Sequence, residues 1–92
     1  MIGRRIMPNP EGWLPPNLQP GDYGHATEEL AKTEEWDALA WWQICCPDGS
    51  IGSINPARHT VIEHEDGTIT VTPSIVSPTW HGWLKNGVWS VA

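Results

Sequence analysis

The chain predicts a mainly β fold, at most a small α+β domain: an antiparallel sheet of four or five strands made of hairpins, with one short helix and an extended, proline-rich amino-terminal arm. Three observations carry this expectation. The dipeptides Asp66-Gly67 and Asn86-Gly87 each sit between runs of alternating apolar residues, the strongest short-range signature of a hairpin. Five of the nine prolines, Pro8, Pro10, Pro15, Pro16 and Pro20, fall within residues 1–24, and proline there disfavours both regular helix and a central strand. Only residues 26–39 carry a helical pattern. With 92 residues the chain forms one domain at most. It divides into an arm over residues 1–24 and a single β domain over residues 25–92.

Taken in order, the arm is anchored by Trp13, Leu14, Leu18 and Tyr23, four large side chains that need a surface to lie on. Thr27 or Thr33 would cap the short helix, with glutamates in its first turn and a thin stripe of Leu30, Trp36 and Leu39. The run AWWQICC reads as a strand ended by Pro47-Asp48-Gly49, and a short strand follows near 50–54 before Asn55-Pro56 breaks it.

Turn type sets register, so the hairpin faces follow from the turns. With a two-residue Asp66-Gly67 loop, Ile62 and His64 join Ile69 and Val71 on an apolar face, while Glu63, Glu65, Thr68 and Thr70 look outward. With an Asn86-Gly87 loop, Leu84 opposes Trp89 and Trp83 opposes Ser90. Trp80, Leu84, Trp89 and Val91 then share one face, and His81, Trp83, Lys85, Val88 and Ser90 the other. The expected core is Ile62, His64, Ile69, Val71, Trp80, Leu84 and Trp89. Pro73 suits an edge or a bend, with Pro73-Ser74-Ile75 turning the chain towards Trp80.

Composition excludes several functions. Seven tryptophans, one tyrosine and no phenylalanine make tryptophan the bulky core residue, each burying roughly 150–250 Å². A net charge of −6 with a single basic pair, Arg4-Arg5, argues against nucleic acid and anionic membrane as partners. Cys45 and Cys46 are adjacent and are the only cysteines, so no disulfide framework is implied. No catalytic constellation is present: there is no Gly-x-Ser-x-Gly elbow, no glycine-rich phosphate loop and no inward carboxylate pair. Nor do Cys45, Cys46, His59, His64 and His81 show zinc-ligand spacing. The expectation is a non-enzyme with no catalytic residue and no cofactor, whose binding patch is His81, Trp83 and Lys85.

The run HTVIEHEDGTITVTPSI followed by WHGWLKNGVW, over roughly residues 41–91 and preceded by WLPP and PGDYG in the arm, resembles a family of small proteins of unknown function from tailed phages, especially those of actinobacteria. Some relatives in that family carry Cys-Pro-x-Cys early and Cys-His in the later strand. Here Cys46-Pro47 matches the first half, Gly49 stands at the second cysteine, and Trp80 stands before His81. The resemblance thus implies a metal site of which Cys46 and His81 alone remain. The family itself supplies no activity. For a phage protein, an apolar arm that needs a surface, a tryptophan-rich exposed face and no catalytic constellation fit a virion-associated accessory protein, a capsid decoration or tail component. A soluble inhibitor of a host enzyme or defence factor is the alternative, and a tryptophan-based carbohydrate module a weaker one. The partner is then a protein (a phage structural protein, a host factor or a second copy of the chain), and the location the virion or the host cytoplasm.

Overall fold

A computed structural model describes residues 1–34 and 39–92. It is mainly β, with eight strands in two four-stranded sheets and one short helix. The first sheet runs in the order β1 (Arg4–Arg5), β2 (Asp22–Gly24), β3 (Trp42–Cys45), β4 (Ile51–Ile54). The second contains β5 (Thr60–Glu63), β6 (Ile69–Val76), β7 (His81–Lys85) and β8 (Val88–Val91), also in order. All pairings are antiparallel except β1 with β2.

Helix α1 is shorter than its candidate segment, covering Glu28–Ala31. Thr27 caps it by accepting from the Leu30 amide, and Glu28 and Glu29 lie in its first turn. The expectation for Trp36 lies outside the described residues.

The first 24 residues are more than an arm. Asp22, Tyr23 and Gly24 form the buried strand β2, inside the first sheet between β1 and β3. This corrects the expectation that the segment holds no central strand; the prolines all lie outside the three residues that pair. Residues 1–3 instead run along the second sheet. Ile2 bridges Val88, the Trp89 amide donates to the Met1 carbonyl (2.8 Å), and the Gly3 amide donates to the Gly87 carbonyl (2.7 Å). One extended segment therefore leaves β8 at Gly3 and joins β2 at Arg4. Gly3 is required at this crossover, because a Cβ there would meet Trp89 Nε1 at 2.8 Å and the carbonyls of Gly21 and Gly87 at 2.9 Å.

The core lies between the sheets. Tyr23, Trp42, Ile44, Cys46 and Ile54 from the first pack against Ile69, Val71, Ile75, Leu84 and Trp89 from the second. Arg5 fastens the two layers at one end. Its guanidinium lies 4.8 Å over the Trp42 ring and near His25 Nε2 (3.3 Å), and it donates to Glu63 (2.9 Å) and to the Gly67 carbonyl (2.8 Å).

The β7–β8 register is as expected, with Leu84 opposite Trp89 and Trp83 opposite Ser90. Asn86 and Gly87 both adopt positive φ, 48° and 74°, the two-residue turn that suits the twist of a hairpin. The β5–β6 register is not as expected. Ile62 opposes Thr70 and Glu63 opposes Ile69, one residue from the two-residue alignment.

The cause is the loop, which has three residues. The His64 amide donates to the Thr68 carbonyl, the Gly67 amide donates to the His64 carbonyl, and Gly67 takes φ +86°. That is a type I turn closed by a glycine bulge. A slip of one residue exchanges faces. Ile62 is therefore 51% exposed and His64 lies beside it on the outer side, bonded to Thr70 Oγ1 at 2.7 Å. Both are removed from the expected core. Val61 takes the inward place, packed against the core cluster.

Ile69, Val71, Leu84 and Trp89 are buried, and Trp80 is half-buried against the core. Val91 shares their face but is exposed at the sheet's end. Pro73 makes no corner. Strand β6 continues through it with a cis Thr72–Pro73 bond and a bulge between Val71 and Ile75.

Candidate functional site

Strand β7 alternates strictly: Gly82 and Leu84 are buried, and His81, Trp83 and Lys85 are exposed. Leu84 is fixed inward by contact with Trp89, and the Trp80 ring lies over Gly82, where a Cβ would approach the ring to 2.4 Å. Trp80 in turn meets Trp89 edge to face, with centroids 5.5 Å apart at 78°. The inward residues thus lock the strand, and the outward row projects from a rigid ladder.

On that outer face the His81 and Trp83 rings lie 6.1 Å apart and tilted by 37°. Trp83 is 45% exposed. His81 Nε2 lies 3.0 Å from Ser74 Oγ, and His59 Nε2 lies 3.1 Å from the carbonyl of the same serine. Ser74 is therefore held between two histidines, His81 of β7 and His59 of the β4–β5 loop. A serine within reach of an imidazole is half of a nucleophile–base pair, but no carboxylate among the described residues bonds to His81 to orient it. The face presents an aromatic plate, an imidazole and an ammonium in a row.

The patch extends beyond its predicted members. Val88 opposes Lys85, and Ile2 bridges Val88; both hydrophobics are exposed. Ile62 is exposed on the outer side of β5. Ile2 has no local signal, since its partner lies at the far end of the chain. Ile62 was recoverable from the sequence: Cys46-Pro47-Asp48-Gly49-Ser50 and His64-Glu65-Asp66-Gly67-Thr68 are the same five-residue turn. In both, the aspartate accepts from the backbone amide and the hydroxyl two residues on.

The arm anchors divide. Leu18 and Tyr23 are buried, Leu14 packs against Gly24, and Trp13 is partly exposed. Trp13, Leu14 and Leu18 line a hollow of about 370 Å³ together with Pro15, Trp41 and Ile51.

The metal remnant is not assembled. Cys46 is in the core cluster, and His81 is on the outer face of the other sheet. Among the described residues no group of three or more His, Cys, Asp or Glu side chains is placed to hold a metal. Burial pushes both thiols above their ordinary range, with the Asp48 charge adding to it. They are poor nucleophiles at neutral pH. His25 is half-buried, edge-on to Trp42 at 4.6 Å.

No helix among the described residues is long and apolar enough to cross a membrane. No protein-family model matches the chain, and neither a curated protein nor a solved structure matches it.

Proposed function

We propose that the protein is a non-catalytic interaction protein of a tailed phage, a small virion accessory component, which binds another protein through the outer face of β7 and β8. The observation that carries this reading is the row His81, Trp83 and Lys85, exposed on a strand whose alternate residues are locked in the core. Exposed tryptophan on a rigid element is the residue type that anchors protein interfaces. The neighbouring exposed Val88 and Ile2 enlarge the apolar area. The phage assignment rests on the resemblance of residues 41–91.

Mass spectrometry of purified virions tests it: the chain in many copies per particle is expected, and its absence from particles overturns the virion role. Trp83→Ala and Lys85→Glu should then reduce incorporation while leaving thermal stability unchanged. The second reading is a soluble inhibitor of a host factor, favoured by the net charge of −6, which suits a basic groove on the target. Absence from virions together with a stoichiometric host partner, lost on adding salt, supports that second reading.

A further inference from the structure

The last strand of the first sheet, β4, ends the sheet with no strand beside it among the described residues. The phase of its hydrogen bonds follows from its hairpin. The Cys46 amide donates to the Ser50 carbonyl at 2.8 Å. In an antiparallel ladder bonded pairs alternate with non-bonded ones, so Gly52 and Ile54 turn their backbone groups to β3. Ile51 and Ser53 turn theirs to the open side. The opposite strand agrees: the Cys45 carbonyl, paired with Ile51, points away from β4 and accepts from the Gly21 amide. Two N–H and two C=O groups therefore face outward, without a hydrogen-bond partner among the described residues.

Sheet edges in natural proteins are usually blunted by lysine, proline or a bulge. This one, Ile51-Gly52-Ser53-Ile54, has none of these, and Ile51 is 59% exposed.

A hollow lies on each face of this edge. On the outer face is the 370 Å³ space under the arm, walled by Trp13, Pro15, Trp41 and Ile51, a volume in the range of ligand pockets. On the inner face a smaller one of about 140 Å³ runs between β4 and the end of β6, lined by Gly52, Ile54, His59, Ile75 and Val76. A strand added beside β4 would send alternate side chains to these two faces.

Four carboxylates lie in or beside the segments forming this region. Glu11 precedes Trp13, Glu28 and Glu29 follow Ala26, and Asp48 precedes β4. None pairs with a cation among the described residues, where the ion pairs are Arg4–Asp22 and Arg5–Glu63.

The geometry points to β4 as a docking edge for an extended peptide of a partner protein. That peptide is uncharged over about four residues, alternates a large apolar side chain on the outer face with a small one on the inner face, and carries lysine or arginine at its ends. A second copy of the chain is disfavoured as occupant, because two bodies of −6 each repel. This site stands on a different sheet from the β7–β8 face and holds or fails without it.

A displayed library of random short peptides, panned on the full chain, tests the assignment. Enriched peptides should show the alternation and the basic ends, and on binding they should protect the Ile51 and Ser53 amides from hydrogen exchange. Ser53→Pro removes an outward N–H and leaves the β3 ladder intact, so it should fold and weaken binding by about tenfold or more. Ile51→Lys, on an exposed position, is a second variant with the same expectation. Lack of enrichment, or enriched peptides that bind both variants undiminished, overturns the site. A concentration-dependent dimer dissolved by Ser53→Pro assigns the edge to a second copy and also overturns it.

Discussion

Trp89 ties the core to the amino-terminal segment and to the residues before β2. Its ring is 2% exposed, meets Trp80 edge to face, and donates from Nε1 to the Gly21 carbonyl at 3.0 Å. The same residue exchanges backbone hydrogen bonds with Met1. Trp89→Ala should cost roughly 3–5 kcal/mol, read as a lower urea midpoint. Trp89→Phe keeps most of the volume and loses one bond to the Gly21 carbonyl, which still accepts from the Arg4 amide at 3.1 Å, so the loss should be about 0.5–1.5 kcal/mol. Trp83→Ala, with its ring on the outer surface, should stay within about 0.5 kcal/mol of the parent. Trp89 was legible in the sequence as core and Trp83 as surface, because the Asn86-Gly87 turn fixes both. His64 and Ile62 were misplaced because an Asp-Gly pair supports either a two-residue loop or a three-residue one. The hydroxyl of Thr68, bonded to Asp66, accompanies the longer loop.

At the scale of elements, the paired turns at Asp48 and Asp66 make the hairpins sensitive to acid. Hydrogen bonds from Thr79 and Ser50 hold the Asp48 carboxyl below its ordinary range, and those from Thr68 do the same for Asp66. A carboxyl whose pKa falls on folding contributes stability that is complete above its unfolded value, near about 4. That contribution is lost as pH drops through the lower folded value. The double variant Asp48→Ala/Asp66→Ala should therefore be less stable than the parent at neutral pH. The gap should close as denaturation is repeated below about pH 4, and a gap that widens in acid contradicts this account.

The turn glycines separate strain from crowding. Gly49 at φ +92° has nothing near a new Cβ, so Gly49→Ala should cost about 1–2 kcal/mol from conformation alone. Gly87 at φ +74° would place a Cβ 2.8 Å from Thr68 Cγ2 and 2.9 Å from the Tyr23 hydroxyl. Gly87→Ala should therefore lose more than Gly49→Ala in the same thermal melts. Strand positions and turns were readable because each is encoded locally. Strand β2 was not: three residues just after a proline-rich stretch give no periodic signal, and Tyr23 becomes a strand residue because β1 and β3 lie on either side of it.

At the scale of the whole molecule, the two sheets are joined by Arg5 rather than by core contacts alone. Its side chain is 21% exposed and reaches His25 and Trp42 on one side and Glu63 and Gly67 on the other. Arg5→Ala should lower stability by about 1.5–3 kcal/mol. Arg5→Lys should recover only part of that, since an ammonium cannot fork between two acceptors while lying flat on an indole. Urea unfolding of the three proteins side by side distinguishes a packing role from a charge role. In sequence Arg4-Arg5 was a lone basic pair without a target, because the partners of Arg5 are as many as 62 residues away.

The crossover at Gly3 also bears on the order in which the molecule assembles. The segment that begins the chain pairs with β8, and the Met1–Trp89 contact spans 88 positions. The hairpins of β5–β8 close short loops and gain their contacts early, whereas residues 1–3 must wait for a strand 88 positions away along the chain. Until β8 is made, that segment has only half of its pairing surface. Residues 1–3 are thus among the last to settle, and their pairing with β8 fixes the two sheets to each other.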